Sequence, residues 1–354
     1  MNIVYGENQY TCHREIADRT PMIEKRSSIL IVAVSLIAVL MLALAAGCTA
    51  KDTSAGATTP AATTAPAVAA ADAPSAVSGT PAAAAVTASV TQAASASTGQ
   101  KQTIKISGST TVLPIVQKAA DQYMAAHPDA DIQVSGGGSG VGIQAIGAKT
   151  VDIGMTSREV TKAEMAKYPA FVVTSVAQDG IAVVVNPANT IQYITLDQIK
   201  NIYLGKITKW SEITGADVPG TNNQIVVIGR DSASGTRTYF DETVLLKATP
   251  TSKMLEKNSN GAVLQTVAQT PGSIGYVSIG FVSKDVNALP IWYNANKIVA
   301  PTVDNVKSKT YPASRDLYVI TNGQLSGLTG DFINYILSAD GQKIVADEGY
   351  VTLS

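Results

Sequence analysis

Two cysteines, Cys12 and Cys48, and two histidines, His13 and His127, are all that the 354 residues contain of either type. No combination of the four gives the tetrahedral set of a zinc site at motif spacing. A structural disulfide is equally disfavoured, because the two cysteines flank a membrane-length apolar segment. Aromatic residues make up only 5 %, too few for a base-stacking surface, and the formal net charge of -1 leaves no basic field for nucleic acid. Charged residues reach only 15 %, whereas hydrophobic ones reach 45 %, much of it alanine and one apolar run. The length suits two ordinary domains or one large one.

That run extends from Ile29 to Ala46, behind Lys25 and Arg26, and ends in Ala45-Ala46-Gly47-Cys48. A basic flank, an apolar region and small residues before a cut site make a secretory signal. A cysteine at that point resembles a lipoprotein lipobox, with Cys48 lipidated, although alanine stands three positions before it. The alternative is an uncleaved single span, since the run is long enough to cross a bilayer. Both tether the chain to the outer face of a cell membrane, and Met22 is an alternative start. Residues 49–100 are almost entirely Ala, Thr, Ser, Pro, Gly and Val, the composition of a disordered spacer.

From residue 101 to 354 the texture changes to short β-rich runs alternating with amphipathic stretches. Expected strands are Ile104–Ser107, Ile132–Ser135, Val151–Gly154, Phe171–Val176, Ile181–Val185, Ile225–Gly229, Ile274–Val277 and Leu317–Ile320. Leu113, Val116, Ala120 and Tyr123 fall at helical spacing, as do Leu196, Ile199, Ile202 and Tyr203. The latter set follows a capping box, Thr195-x-x-Gln198, and ends at Gly205; a second box, Thr161-x-x-Glu164, opens another helix. Trp210 and Trp292 read as core anchors. Alternating strands and helices predict α/β layers split into two lobes.

Four strands run into turns rich in Gly, Ser and Thr that precede a helical stretch. They are Ser107–Thr111, Gly136–Gly140, Gly154–Arg158 and Arg230–Arg237. A helix N-terminus exposes unpaired N–H groups and a partial positive charge, and glycine lets an anion approach the backbone. Such turns suit oxyanions, and Arg230, Arg158 or Arg237 can clamp two oxygens at once. Any one of them is by itself an ordinary helix cap; four together, two with arginine, point to a ligand. The stretch GIQAIGAKT at 142–150 lacks the Gly-Lys pair of a P-loop, and Ser139 and Ser234 lie in no nucleophile elbow. His127, in a helix-ending turn, reads as a surface residue.

At these residues the sequence resembles the phosphate-binding proteins of Pst-type ABC transporters. The likeness rests on SGSTTVLP at 107–114, GGGSGVGI at 136–143, VDIGMTSRE at 151–159 and QDGIAVVVN at 178–186. It continues through IYLGKITKW at 202–210, RDSASGTR at 230–237, PGSIGYVS at 271–278, YPASR at 311–315 and GQKIVADEGYV at 341–351. The resemblance implies a two-lobed type II periplasmic-binding-protein fold with a ligand cleft between the lobes. Lobe 1 would span about 103–178 plus 287–354, and lobe 2 about 183–285. It implies no cofactor, no metal and no catalysis, a monomer, and an ABC permease as partner. Phosphate would be held by Thr110, Thr111, Ser139 and Gly140 from one lobe, and by Arg230, Ser234, Gly235 and Thr236 from the other. Ser157 and Arg158 stand where some members carry an aspartate that accepts the ligand's proton, and Asp179 is the candidate replacement; Asp231 is expected to pair with an arginine. Receptors for sulfate, molybdate or tungstate, a secreted phosphoester hydrolase and a tethered adhesin are the other readings; the hydrolase lacks a base or metal set.

Overall fold

The computed structural model describes residues 101–353 apart from 215–217 and 294–296. The apolar run, Cys48 and the spacer at 49–100 lie outside the described residues. Among those described, no helix is long and apolar enough to cross a membrane.

The chain opens with β1 (Gln102–Gly108), α1 (Leu113–Ala126), β2 (Ala130–Ser135), α2 (Ser139–Gly147), β3 (Ile153–Thr156) and α3 (Lys162–Lys167). The long β4 (Phe171–Val185) leads to β5 (Ile194–Thr195), α4 (Leu196–Tyr203), α5 (Ser211–Thr214), β6 (Val226–Arg230), α6 (Gly235–Thr243), β7 (Leu255–Lys257), α7 (Asn260–Gln269) and β8 (Ser273–Ser278). Then come β9 (Asn287–Ala288), β10 (Ile291–Tyr293), β11 (Lys297–Val299), α8 (Val303–Lys307), β12 (Ser314–Asn322), α9 (Gly327–Leu337) and α10 (Ala339–Asp347). The main sheet runs β2-β1-β3-β12-β4-β8-β6-β7, with β9 paired to β4; β11, β10 and β5 form a small second sheet.

Two cores lie on this one sheet. The first gathers Ile104, Ile106, Val116, Ile153, Val176, Leu317 and Phe332; the second gathers Ile181, Val183, Ile199, Trp210, Ile228, Phe240 and Tyr276. The two stretches expected as separate strands at 171–176 and 181–185 are one strand. Residues 171–180 pair with β12, whereas residues 181–185 pair with β8. The polar Gln178-Asp179-Gly180 does not break the strand, because Ser314–Asp316 lie opposite and pair with it. Buried Leu289, Ile291, Val299, Val306 and Tyr311 belong to the second core. The chain therefore returns to the first lobe at β12, later than the expected position near 287. Two extended segments, in β4 and β12, join the lobes.

Local signals decide several helix starts. Both capping boxes are formed, with Thr161 accepting from the Glu164 amide and Thr195 from the Gln198 amide. On α4 the spaced apolar residues Ile199, Ile202 and Tyr203 are buried, as the 3.6-residue period requires. Trp210 is buried and its Nε1 donates to the Gly272 carbonyl at 2.9 Å. Trp292 departs from expectation. It is 40 % exposed on the small sheet, edge-on to Tyr193, because Ile291 takes the inward position of β10 and the next residue along a strand points the other way.

Candidate anion-binding site

Three of the four turns converge where the lobes meet. The Ser109 hydroxyl accepts the Thr111 and Val112 amides at 3.2 and 3.4 Å, which fixes the entry into α1 and turns Thr110 and Thr111 into the interface. Ser139 is the first residue of α2, and Ser234 caps α6 by accepting the Arg237 amide at 3.1 Å. Gly138, at φ +99°, lets this turn approach its opposite number. A Cβ there would stand 2.6 Å from the Ala233 carbonyl oxygen. The Gly140 amide donates to that same carbonyl at 3.0 Å, so its N–H ties the lobes together.

The fourth turn behaves differently. Ser157 is buried beside Ser139, with its amide donating to the Ser139 hydroxyl at 3.0 Å and the two hydroxyls 3.3 Å apart. No helix starts directly after it, since α3 begins only at Lys162 behind its own cap. Arg158 consequently turns away from the cluster. Both its terminal nitrogens donate to Glu164, at 2.7 and 2.8 Å, and its guanidinium holds the Glu164 carboxyl down at about 2. Arg158→Ala should therefore leave anion affinity within about threefold, as for other surface pairs, in a titration; a loss of tenfold would place this guanidinium in the site.

At the centre lies a set of buried hydroxyls with cations behind them. Thr111 Oγ1 and Thr236 Oγ1, from opposite lobes, are 3.1 Å apart. Asn260 Nδ2 donates to Thr111 Oγ1 at 2.9 Å, and Arg315 Nη2 donates to Thr236 Oγ1 at 3.0 Å. Arg230, only 1 % exposed, donates through Nη2 to Thr110 Oγ1 at 3.1 Å and through Nε to the Lys257 carbonyl at 3.1 Å. Its Nη1 is buried without a hydrogen-bond partner. Burial pulls the Arg230 guanidinium down to about 10, against the attraction of Asp231, so it stays cationic at neutral pH. A buried cation with an unused donor is costly unless an anion completes it.

Asp179 occupies a different place from the one expected. Its Oδ2 accepts Arg315 Nε and Nη2 at 3.0 and 2.7 Å, and its Oδ1 accepts the Ser278 hydroxyl at 2.6 Å and the Ile279 amide at 3.3 Å. Burial raises its carboxyl above the ordinary value, and Arg315 pulls it back. With both oxygens engaged, it holds Arg315 and is not poised to accept a ligand's proton. Asp231, expected to pair with an arginine, accepts the Ala233 amide at 3.1 Å and shapes its own turn. Arg237 pairs with Asp241 and Glu256 outside the cluster.

Sequence reasoning passed over Arg315 and Asn260. Arg315 stood in the quoted YPASR motif, but its partner Asp179 is 136 residues away, joined only by the pairing of β12 with β4. Asn260 follows an ordinary helix cap, Ser259, and nothing local marks it.

Among the described residues Asp179 pairs with Arg315, whereas Arg230 forms no ion pair and feels Asp231 only at longer range. Such a cluster takes a small tetrahedral anion. On the hinge side, a cavity of about 820 Å³ is lined by Arg158, Tyr239, Tyr311 and Arg315. Tyr239 Oη donates to the Ser314 carbonyl at 2.5 Å on the wall of this cavity.

Comparison with known proteins gives a consistent result. Residues 57–340 match the model of the PBP superfamily domain. Phosphate-binding protein PstS of Bacillus subtilis is 36 % identical over 253 residues, covering 71 % of this chain and 81 % of that protein. A Clostridium perfringens structure, described as a putative phosphate ABC transporter substrate-binding protein with bound phosphate, superposes with a TM-score of 0.65. It is 33 % identical and covers 72 % of this chain and all of that one. An ABC-type phosphate transport receptor from Vibrio cholerae is 32 % identical with a TM-score of 0.58, covering 71 % of this chain and all of that one.

Proposed function

Because the chain belongs to the PBP superfamily, among its phosphate-binding PstS-like proteins, we propose that it captures inorganic phosphate outside the cytoplasm and delivers it to an ABC importer. The observation that carries this is Arg230, a buried cation whose Nη1 has no partner and whose Nη2 donates across the lobes to the Thr110 hydroxyl. Thr110, Thr111, Ser139, Ser234 and Thr236 supply neutral donors, Gly235 leaves room beside Ser139, and Arg230 supplies the charge.

Capture is by closure. The bonds from Gly140 to Ala233, from Arg230 to Thr110 and from Asn260 to Thr111 run between lobes and exist only when these meet. An anion that binds this state better than the open one shifts the population toward it, and the importer reads the closed shape. The protein acts as a receptor and not as an enzyme. Its one described histidine, His127, is exposed at the C-terminal end of α1, the opposite end of that helix from Thr110 and Thr111, and is stacked on Tyr123. The chain is held at the membrane through lipidated Cys48 or the apolar run before it, and works as a monomer.

Calorimetry of the full chain with phosphate, sulfate, molybdate and tungstate tests the reading. Phosphate should bind at least tenfold more tightly than the others, about 1.4 kcal/mol. Binding of sulfate without phosphate would overturn it in favour of another oxyanion.

A further inference from the structure

In the second lobe, a cavity of about 550 Å³ lies between the chain from Asn189 to Thr195, the start of α4, α5 and Trp292 of β10. It shares no residue with the anion cluster or with the hinge-side cavity. Its size falls in the range of ligand pockets, about 300–1,000 Å³. None of the described residues that line it carries a charge. Its polar groups are the amides and hydroxyls of Asn189, Thr190, Gln192, Tyr193, Thr195 and Gln198.

Strand geometry places aromatic surface here. Ile291 and Ile194 lie opposite each other in the β10–β5 pair and both are buried, so the next pair, Trp292 and Thr195, points to the other face. Trp292 is 40 % exposed and Tyr193 39 %, with ring centroids 5.4 Å apart and planes at 86°. Two rings held edge to face form a corner, and part of each ring stays open to a ligand. The polar groups beside them are partly spent. Thr195 Oγ1 accepts the Gln198 amide at 3.1 Å and Gln198 Oε1 accepts the Thr195 amide at 2.9 Å, so the capping box holds both side chains in place. Gln198 Nε2 and Trp292 Nε1 are left without a hydrogen bond among the described residues. Gln192 uses its Nε2 on the Thr190 carbonyl at 2.7 Å and keeps its Oε1 as an acceptor. Asn189 is the buried polar side chain of the lining, 1 % exposed, and its Nδ2 has no partner.

We propose that this cavity binds a neutral oligosaccharide, with a pyranose ring stacked against Trp292 and Tyr193 and its hydroxyls held by Gln198 and Gln192. The partly positive C–H groups on one face of a pyranose meet the negative π face of an aromatic ring. Each sugar hydroxyl donates one hydrogen bond and accepts two, which matches a lining that offers amide donors and an amide acceptor. An anion finds no counter-charge among the described residues here, in contrast to the cleft around Arg230, so the two sites select different ligands. The inference goes beyond the phosphate reading and does not depend on it. For a receptor held at the outer face of a membrane, such a site would fix the second lobe in surface glycan.

The test titrates the full chain with tetra-N-acetylchitotetraose and with mannotetraose, following tryptophan emission. Trp210 is buried and bonded to the Gly272 carbonyl, so a sugar stacking at this cavity reports through Trp292. At least one of the two sugars should bind with a dissociation constant of about 1 mM or below and shift the emission to the blue. Trp292→Ala, and separately Tyr193→Ala, should weaken that binding about tenfold or more, with phosphate affinity and the ligand-free thermal midpoint unchanged. Binding of neither sugar, or binding that survives Trp292→Ala, overturns the proposal; so does an equal loss of phosphate affinity in the variants, the mark of a disturbed fold. Tighter binding of tetragalacturonate, which adds charge to the same ring chemistry, also overturns it. A peptide with the sequence of residues 57–83 that binds more tightly than either sugar would make the spacer the occupant instead. A chain that binds sugar but no phosphate leaves this site standing and overturns the receptor reading alone.

Discussion

Arg230→Ala should weaken phosphate binding by about 100-fold or more, since truncating one partner of a buried charge-assisted pair costs about 2–5 kcal/mol. The side chain is 1 % exposed, its Nη1 has no protein partner, and among the described residues no carboxylate forms an ion pair with it as Asp179 does with Arg315. Every reason for this large functional effect predicts the opposite sign for stability. Without ligand, a desolvated cation lacking a full set of partners works against folding. Arg230→Met, which keeps much of the volume, should therefore raise the urea midpoint of the ligand-free protein or leave it unchanged. Calorimetry and urea unfolding on the same samples measure both. Normal phosphate affinity in Arg230→Ala would move the site elsewhere.

Asp179→Ala should cost about 3–5 kcal/mol of folding stability, because it strands the buried Arg315. The pair is almost fully enclosed, at 2 % and 0 % exposure, and links β4 to β12, the two segments that run between the lobes. It also orients Arg315 toward Thr236 and the Ser157 carbonyl, so phosphate affinity should fall together with stability. In Asp179→Ala combined with Arg315→Met, much of the stability should return, while binding should not. Acid has a defined direction here. Burial places the folded carboxyl above its unfolded value, so as pH rises from the unfolded pKa through the folded one, this group loses stability for the fold. Glu164 runs the other way. Its folded value of about 2 makes its contribution present above the unfolded pKa and lost as pH falls toward 2. Urea midpoints of Glu164→Gln against pH should show a small difference that vanishes in acid.

Local chemistry explains how much of this was legible in the residues. The capping boxes at Thr161 and Thr195 act within four residues and can be read directly. So can the turns at Ser107–Thr111, Gly136–Gly140 and Arg230–Arg237, where Gly, Ser and Thr precede a periodic helix. The roles of Arg158 and Asp179 were not legible, because each depends on which partner the fold delivers. Glu164 reaches Arg158 across a single turn of chain, while Arg315 reaches Asp179 through strand pairing. The same strand pairing hid the continuity of β4, since Gln178-Asp179-Gly180 looks like a break until β12 lies alongside. Trp292 misled through size, since the inward position on its short strand is taken by the neighbouring Ile291.

The return of β12 also governs the order in which the molecule can assemble. Residues 181–313 hold nearly all of the second core in one continuous stretch, whereas the first needs residues 104–177 and 317–350 together. A chain emerging N-terminus first leaves β3 and the first half of β4 without the strand that lies between them until β12 arrives. The last tie comes later still, when the Tyr350 hydroxyl donates to the Thr111 carbonyl at the start of α1. The lobe that begins first is completed last, and its unpaired strand edges stay exposed for most of synthesis. Truncation before residue 314 should therefore yield a folded second lobe attached to an aggregation-prone first one.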